Sequence, residues 1–474
     1  MEEFLAIYWP WVTSIAVLAL DVCASMHVIL QKRDCRAALG WVGLIWFFPL
    51  FGSVLYFVLG INRIHRRAKR LKSRIKRTKP ERPSEDESAR TGRLKELSTM
   101  VGHVTHRPVS VGNRVQILND GEAAYHAMLE AIAGAQRTVS LASYIFDNDR
   151  TGRFFVDALS AAVRRGVAVR VLIDAIGSRY SFPSIISRLR QAGVPTALFM
   201  PSMLPWHFTY AQLRNHRKLL VADGRIGFTG GMNIRDGHDL STHPRHPIVD
   251  MQARFEGPVV ADMQAVFIDD WLFTSGEKLA GDDWLPEMEE VGGIVARGIA
   301  SGPDDEKSPL QLTYLGALAA AEKHVIIASP YFLPDPELIS ALGLTALRGV
   351  EVDILVPNES NLRMVQWAMM GQFGQVIEPG CKIWMTPPPF DHTKLMVVDG
   401  RWCLIGSSNW DSRSTRLNFE FNVECYDEPL AEELAARLRH KMKAGHRLTQ
   451  AQLKKRNLLV KLRDGTFRLA SPYL

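Results

Sequence analysis

The sequence predicts an α/β protein of two pseudo-symmetric units with the active site between them, preceded by two transmembrane helices. Three observations lead there. The stretch Asn215–Asn233 (NHRKLLVADGRIGFTGGMN) returns as Asp391–Asn409 (DHTKLMVVDGRWCLIGSSN) with nine identical positions of nineteen. Chance would give roughly one, so a structural unit has been duplicated. Each half also shows the same βαβ rhythm of apolar strands and helical periods. Finally, two long apolar runs open the chain.

Taken in order, residues 1–62 hold the expected spans. Ile7–Leu30 is apolar or weakly polar except for Asp21 and His27, and Ala37–Ile61 has no charge in 25 residues. Each run is long enough to cross a bilayer, and Trp41, Trp46 and Tyr56 suit interfacial or lipid-facing positions. Asp21 is costly in lipid, so it is expected to face the partner helix or the interface. The acidic start MEEF, with no small-residue cleavage site after it, argues against a signal peptide. Residues 63–100 form a basic juxtamembrane segment and linker. Arg63–Lys79 carries ten Lys or Arg and no acid, whereas the loop between the runs has only Lys32, Arg33 and Arg36, with Asp34. Positive charge therefore favours a cytoplasmic catalytic part, with the amino terminus on the same side. Pro80–Thr91 is a polar linker.

Residues 101–285 form the first unit, with helix Gly121–Arg137, strand Thr138–Phe146, helix Gly152–Arg165 and strand Val167–Asp174 before the first motif. Residues 286–434 repeat the pattern: helix Pro309–Lys323, strand His324–Tyr331, helix Asp335–Leu347, strand Val350–Pro357 and helix Asn361–Gln375. RRGV at Arg164–Val167 is echoed by LRGV at Leu347–Val350. Before the first motif, Phe199–Tyr210 (FMPSMLPWHFTY) reads either as core or as a lipid-facing lip for acyl chains. Residues 435–474 are a basic amphipathic tail. From Arg437 to Arg463 there are ten Lys or Arg and no acid, a pattern of a solvated helix face or of adhesion to anionic lipid.

The repeated motif carries the chemistry. His216 and Lys218, like His392 and Lys394, are two apart at the start of an apolar strand, so each pair shares one face. Asp223-Gly224 and Asp399-Gly400 signal tight hairpin turns, and the returning strands bring Asn233 and Asn409 back beside the His and Lys. Imidazole, ammonium and amide together bind phosphate and place a nucleophile against it. Two copies supply two imidazoles, one to attack phosphorus and one to protonate the leaving oxygen. Asp223 and Asp399 read as structural residues of the turns. Asp250 and Glu420 follow the motifs and suit the Nδ1 proton of the histidine in their own copy; Asp250 is six residues further from its histidine than Glu420 is. No ligand set of Cys or carboxylate accompanies the histidines, so no metal is expected. The five cysteines lack paired spacing, and no nucleotide-binding loop occurs, so no cofactor is expected.

The pattern HxKx4Dx6G(G/S)xN, present twice, resembles the phospholipase D superfamily, and the resemblance covers nearly the whole chain. The apolar amino-terminal runs, SYIFD, SPYFLPD and NFEFNVECYD are similar to the bacterial cardiolipin synthases within it. That resemblance implies transfer of a phosphatidyl group between two phosphatidylglycerol molecules through a phosphohistidine, at an anionic membrane surface, with no nucleotide, metal or nucleic acid. It implies His216 as nucleophile and His392 as acid and base. Lys218, Lys394, Asn233, Asn409 and Ser407 would hold phosphate oxygens, Asp250 and Glu420 would orient the histidines, and Asp223 and Asp399 complete the motif. A lipid hydrolase, a transferase with another donor or acceptor, and a membrane-bound nuclease share this machinery.

Overall fold

The computed structural model describes residues 2–32, 35–60, 94–200, 213–303 and 308–471, which fall into a small amino-terminal unit and a large body. The basic segment Arg63–Lys79, the linker Pro80–Thr91 and most of the aromatic stretch Phe199–Tyr210 lie outside the described residues.

In the amino-terminal unit the first apolar run is one helix, Glu2–Gln31, and its part Tyr8–Gln31 is long and apolar enough to cross a membrane. The second run does not form the expected spanning helix. Its helix Cys35–Phe47 has thirteen residues, breaks at Phe48–Leu50, resumes as Phe51–Leu55 and continues as a π-helical turn to Gly60. Pro49 supplies no amide proton and its ring crowds the preceding turn, while Leu50 takes a left-handed φ of 65°. The chain then folds back on itself. A Cβ at Gly52 would lie 2.4 Å from the Leu44 carbonyl oxygen, so the close approach requires glycine. Tyr56 is fully buried rather than lipid-facing, its ring 5.3 Å from that of Trp41.

Among the described residues of the body the duplicated units share one sheet of sixteen strands. In the first half Thr138–Ser143, Ala168–Asp174 and Thr196–Phe199 run parallel, and the motif hairpin Leu219–Ala222/Ile226–Gly230 joins Thr138–Ser143 antiparallel. The second half repeats this with His324–Ala328, Glu351–Pro357, Lys382–Thr386 and the hairpin Leu395–Val398/Trp402–Gly406. The expected βαβ units thus build the outer part of each half, whereas the strands nearer the seam are antiparallel. Ser110–Leu118 pairs with Ile294–Ser301 to fuse the halves. Within the seam Arg297, fully buried, is paired with the equally buried Glu424 of the neighbouring strand.

The central strands are buried at nearly every position, so both faces of the sheet are covered. Helices Val259–Ser275 and Glu428–Ala444 share one continuous core on one face. On the other face each half has its own core, under Gly121–Gly134 and Arg150–Arg164 in the first, and under Pro309–Ala320, Pro336–Leu347 and Arg363–Ile377 in the second. Helix Lys95–Thr105 joins that second-half core through Leu97 and Val101. The basic carboxy-terminal stretch is partly absorbed: Leu438, Met442 and Leu448 are buried, and His446–Leu448 adds an edge strand beside Lys382–Thr386. Its last helix, Leu458–Leu469, leaves Leu458, Leu459, Leu462 and Leu469 exposed.

Candidate active site

Each motif histidine stands where its own half reaches the other. Arg214–Asn215 pairs in parallel with Asn418–Phe419, and the His216 amide donates to the Phe419 carbonyl at 2.9 Å. Phe390–Asp391 pairs with Ile248–Val249 in the same way, and the His392 amide donates to Val249 at 2.7 Å. This reciprocal pairing decides which carboxylate each imidazole meets. His216 Nδ1 lies 3.0 Å from both Glu420 oxygens, and His392 Nδ1 lies 2.8 Å from Asp250 Oδ2. The expected partnership within each copy is therefore crossed: each histidine is held by the carboxylate of the opposite half. The six extra residues before Asp250 lie between His238 and Ile248, around the short turn Leu240–Thr242.

Burial governs the charges here. Desolvation outweighs the Glu420 carboxylate and, with Lys218, holds the His216 imidazolium down to about 4. His392 is also depressed well below the usual imidazole value, by burial and then by Lys394 and Lys218. Both imidazoles are thus neutral near pH 7. Their Nδ1 protons point to the carboxylates, which leaves each Nε2 with its lone pair. Burial lowers Lys218 to about 7 and Lys394 to about 8, partly countered by Glu420 and Asp250. Each lysine donates to the carbonyl of its own histidine, at 2.7 and 2.8 Å, and Lys394 Nζ also lies 3.0 Å from His392 Nε2.

The two carboxylates are supported differently. Glu420 is buried, yet His216, Lys218 and Ser407 hold its carboxyl below the usual range, and Ser407, Ser414 and Asn418 all donate to it. Ser407 is therefore not at the phosphate position expected for it. It is fully buried, it donates to Glu420, and it accepts from the Phe421 amide. Its counterpart Gly231 is glycine because a Cβ there would meet Asp250 Oδ1 at 2.3 Å. Burial raises the carboxyl of Asp250, which accepts from the Met251 amide besides facing His392.

Asp223 and Asp399 are far from this chemistry. Both sit at hairpin turns with φ of 53°, each beyond a four-residue strand from its lysine. Asp223 accepts from the amides of Gln136, Arg137 and Thr138, and Asp399 from those of Glu322, Lys323 and His324. They clamp the start of the first parallel strand in each half.

The histidines open onto a cavity of about 360 Å³, which Asn233 and Asn409 also line. Asn233 Oδ1 accepts from the Ile145 amide, while Asn409 Oδ1 is buried and has no partner among the described residues. Sequence reasoning left several lining residues without a role. Tyr144 packs edge-on against His216 with ring centroids 5.1 Å apart, and Tyr331 does the same for His392 at 6.1 Å. Both lie in the short stretches SYIFD and SPYFLPD, so a signal for them was present. Arg214, Arg235 and Arg413 make the wall basic. Buried His238 accepts from the Asn233 amide at 3.4 Å, the place Ser414 takes for Asn409. Burial holds His238 down to about 3, so it is neutral. Beside the lining residues Tyr180 and Leu362, Phe182 and Met364 are exposed, so the mouth has an apolar rim.

Among the described residues, the group with ligand atoms close enough to chelate a cation is His324, Glu351 and Asp353, none of which lines the cavity. His324 and Trp384 already bond Asp353, and Lys382 bonds Glu351. The cavity itself offers three arginines and several amides beside one carboxylate, Asp411, a donor set that suits anions.

A family model described as cardiolipin synthase, PLD-like domain, matches residues 128–241 and 314–442. A second, described as phospholipase D-nuclease N-terminal, matches residues 19–60. The major cardiolipin synthase ClsA of Bacillus subtilis (strain 168) is 30% identical over 470 residues, which cover 96% of this chain and 97% of that protein. A cardiolipin synthase of Alkalihalophilus pseudofirmus is 32% identical over 482 residues, covering 98% and 95%. The crystal structure of a phosphatidylserine synthase from Haemophilus influenzae Rd KW20 has a TM-score of 0.61 at 14% identity, over 82% of this chain and 100% of that one, a likeness of fold.

Proposed function

The chain belongs to the cardiolipin synthases with phospholipase D-like domains, and on that premise we propose that it joins two phosphatidylglycerol molecules into cardiolipin and glycerol. The observation that carries the mechanism is the pair of neutral, carboxylate-held imidazoles flanking one anion-binding cavity. His216 Nε2 attacks phosphorus, the P–O bond to glycerol breaks, and His392, protonated once the phosphodiester charge is bound, gives its proton to the departing oxygen. A hydroxyl of the second phosphatidylglycerol then attacks phosphorus, its proton passes to His392, and the P–N bond breaks. Lys218, Lys394, Asn233 and Asn409 stabilise the charge on the non-bridging oxygens.

His216 is assigned as nucleophile because the phosphohistidine is cationic. Glu420, kept ionised by its donors, offsets that charge better than Asp250, whose carboxyl is raised. Tyr180, Phe182, Leu362 and Met364 form the rim through which acyl chains leave the cavity for the bilayer. The body stands on the cytoplasmic side, where the exposed leucines and Lys461 of the last helix meet anionic lipid.

The test is mass spectrometry of lipid products after incubating the purified full-length protein with phosphatidylglycerol vesicles. Cardiolipin and glycerol are expected, with at least a ~10³-fold loss in His216→Ala or His392→Ala. Phosphatidic acid alone would make water the acceptor, and substantial turnover by both variants would sink the mechanism.

A further inference from the structure

The contacts of the second apolar run give the direction of each of its limbs relative to Glu2–Gln31. On the outward limb Trp46 donates to Ser25 at 3.2 Å, and the Leu50 amide donates to Asp21 Oδ1 at 3.3 Å. As the sequence advances from 46 to 50 its partners retreat from 25 to 21, so this limb runs antiparallel to the first helix. On the return limb Ser53 donates to Asp21 at 2.5 Å, and the Tyr56 hydroxyl lies 2.8 Å from His27 Nδ1. Here the partners advance from 21 to 27, so the chain is heading back toward the Gln31 end. A continuous helix would separate residues 41 and 56 by about 22 Å at 1.5 Å per residue. Their rings are 5.3 Å apart.

The turning point lies beside Asp21, ten residues before Gln31, or about 15 Å along the helix axis. That is about half of a 30 Å hydrocarbon core. A chain that unwinds at this depth must satisfy its own polar groups. Asp21 does so from the neighbouring helix: it is 3% exposed and accepts from the first amide after Pro49 and from the Ser53 hydroxyl, as a helix cap does. Gly52 lets the limbs close at the turn.

We propose that this chain crosses the membrane once, through Tyr8–Gln31, and that Cys35–Gly60 is a re-entrant hairpin that dips to mid-bilayer and returns to the face it left. The amino terminus and the catalytic body then lie on opposite sides of the membrane, the reverse of the two-span expectation. Charge agrees with this arrangement. Residues 1–31 contain no Lys or Arg, while Lys32, Arg33, Arg36 and the ten Lys or Arg of Arg63–Lys79 all follow the single crossing. With two spans the loop's three positives would be stranded on the outer face; with one span and a hairpin every one of these cations is cytoplasmic.

The experiment is cysteine labelling of the full-length protein in intact bacterial cells with a membrane-impermeant maleimide. Cys381, Cys403 and Cys425 are buried, and the exposed Cys23 and Cys35 are replaced by Ser. Single reporters are then Glu3→Cys, Glu130→Cys in the body, and native Cys35 retained in a Cys23→Ser chain. Glu3→Cys should react in intact cells, and Glu130→Cys only after permeabilisation. Cys35 should behave as Glu130→Cys does. Protection of Glu3→Cys together with Glu130→Cys, or labelling of Cys35 from outside, overturns the hairpin.

Discussion

Lys218 and Lys394 are held at about 7 and 8, against about 10.4 for an unfolded lysine, so folding favours their neutral form. The sign follows from linkage: the penalty is full below the folded values and disappears only above the unfolded one. At pH 7 the site is thus kept charged at a cost in stability. Lys218→Met should raise the melting temperature by about 2–5 °C in calorimetry while abolishing turnover; a lower melting temperature would contradict the assignment. The same two values set the pH dependence of kcat/KM, which reports the free enzyme. It should fall as pH rises through 7 to 8 and the ammonium charges are lost. The acid limb should lie near 4, where His216 gains its proton. A profile flat to pH 10 would remove the lysines from phosphate binding. Glu420→Gln leaves the geometry but not the charge, and single-turnover formation of the phosphoenzyme should slow by about 10³-fold or more. Formation of the phosphoenzyme at the wild-type rate would show that Glu420 does not support the nucleophile.

The two motif hairpins are copies whose differences matter. Gly231→Ser would give the first hairpin the hydroxyl that Ser407 provides in the second, yet its Cβ would fall on the Asp250 carboxylate. We expect kcat to drop by about 10–100-fold as that carboxylate shifts from His392, with little change in KM; wild-type kcat would show that Asp250 is dispensable. At the seam, Arg297→Ala strands Glu424 in the interior and should cost about 3–5 kcal/mol in denaturant unfolding, with Arg297→Lys recovering only part. Elements such as these show what a sequence reveals. Helical spacing and apolar runs located Thr138–Ser143, Arg150–Arg164, His324–Ala328 and Pro336–Leu347 to within three residues, and Asp149 and Asp335 cap the two helices. The doubled motif located the histidines, lysines and asparagines. Hidden from it were the crossed carboxylates, which depend on pairing between segments 142 and 204 residues apart, and the role of Ser407, which depends on where Glu420 points. The hairpin at Pro49 was hidden for another reason: an uncharged run of 25 residues satisfies the length criterion for a span whether or not it bends.

Across the whole molecule, positive charge is gathered at two places, ten Lys or Arg in Arg63–Lys79 and ten in Arg437–Arg463, against a net +7 for the chain. Affinity of the body for vesicles should therefore need anionic lipid and fall with salt. Reversing Lys454, Lys455 and Lys461 to Glu should weaken flotation with anionic vesicles by at least ~10-fold while leaving His216 chemistry on detergent-dispersed substrate intact; unchanged flotation would leave the tether as the sole membrane contact. The crossed carboxylates carry a consequence in time. His216 leaves the ribosome 204 residues before Glu420, a delay of about 10–40 s at ordinary synthesis rates. Until the strand Asn418–Tyr426 enters the sheet, the nascent chain holds a histidine without its carboxylate, beside the very membrane that contains its substrate. On the proposed mechanism catalysis is thus switched on only as the last strands are made, and a truncated product of interrupted synthesis is expected to stay inert toward the lipids around it.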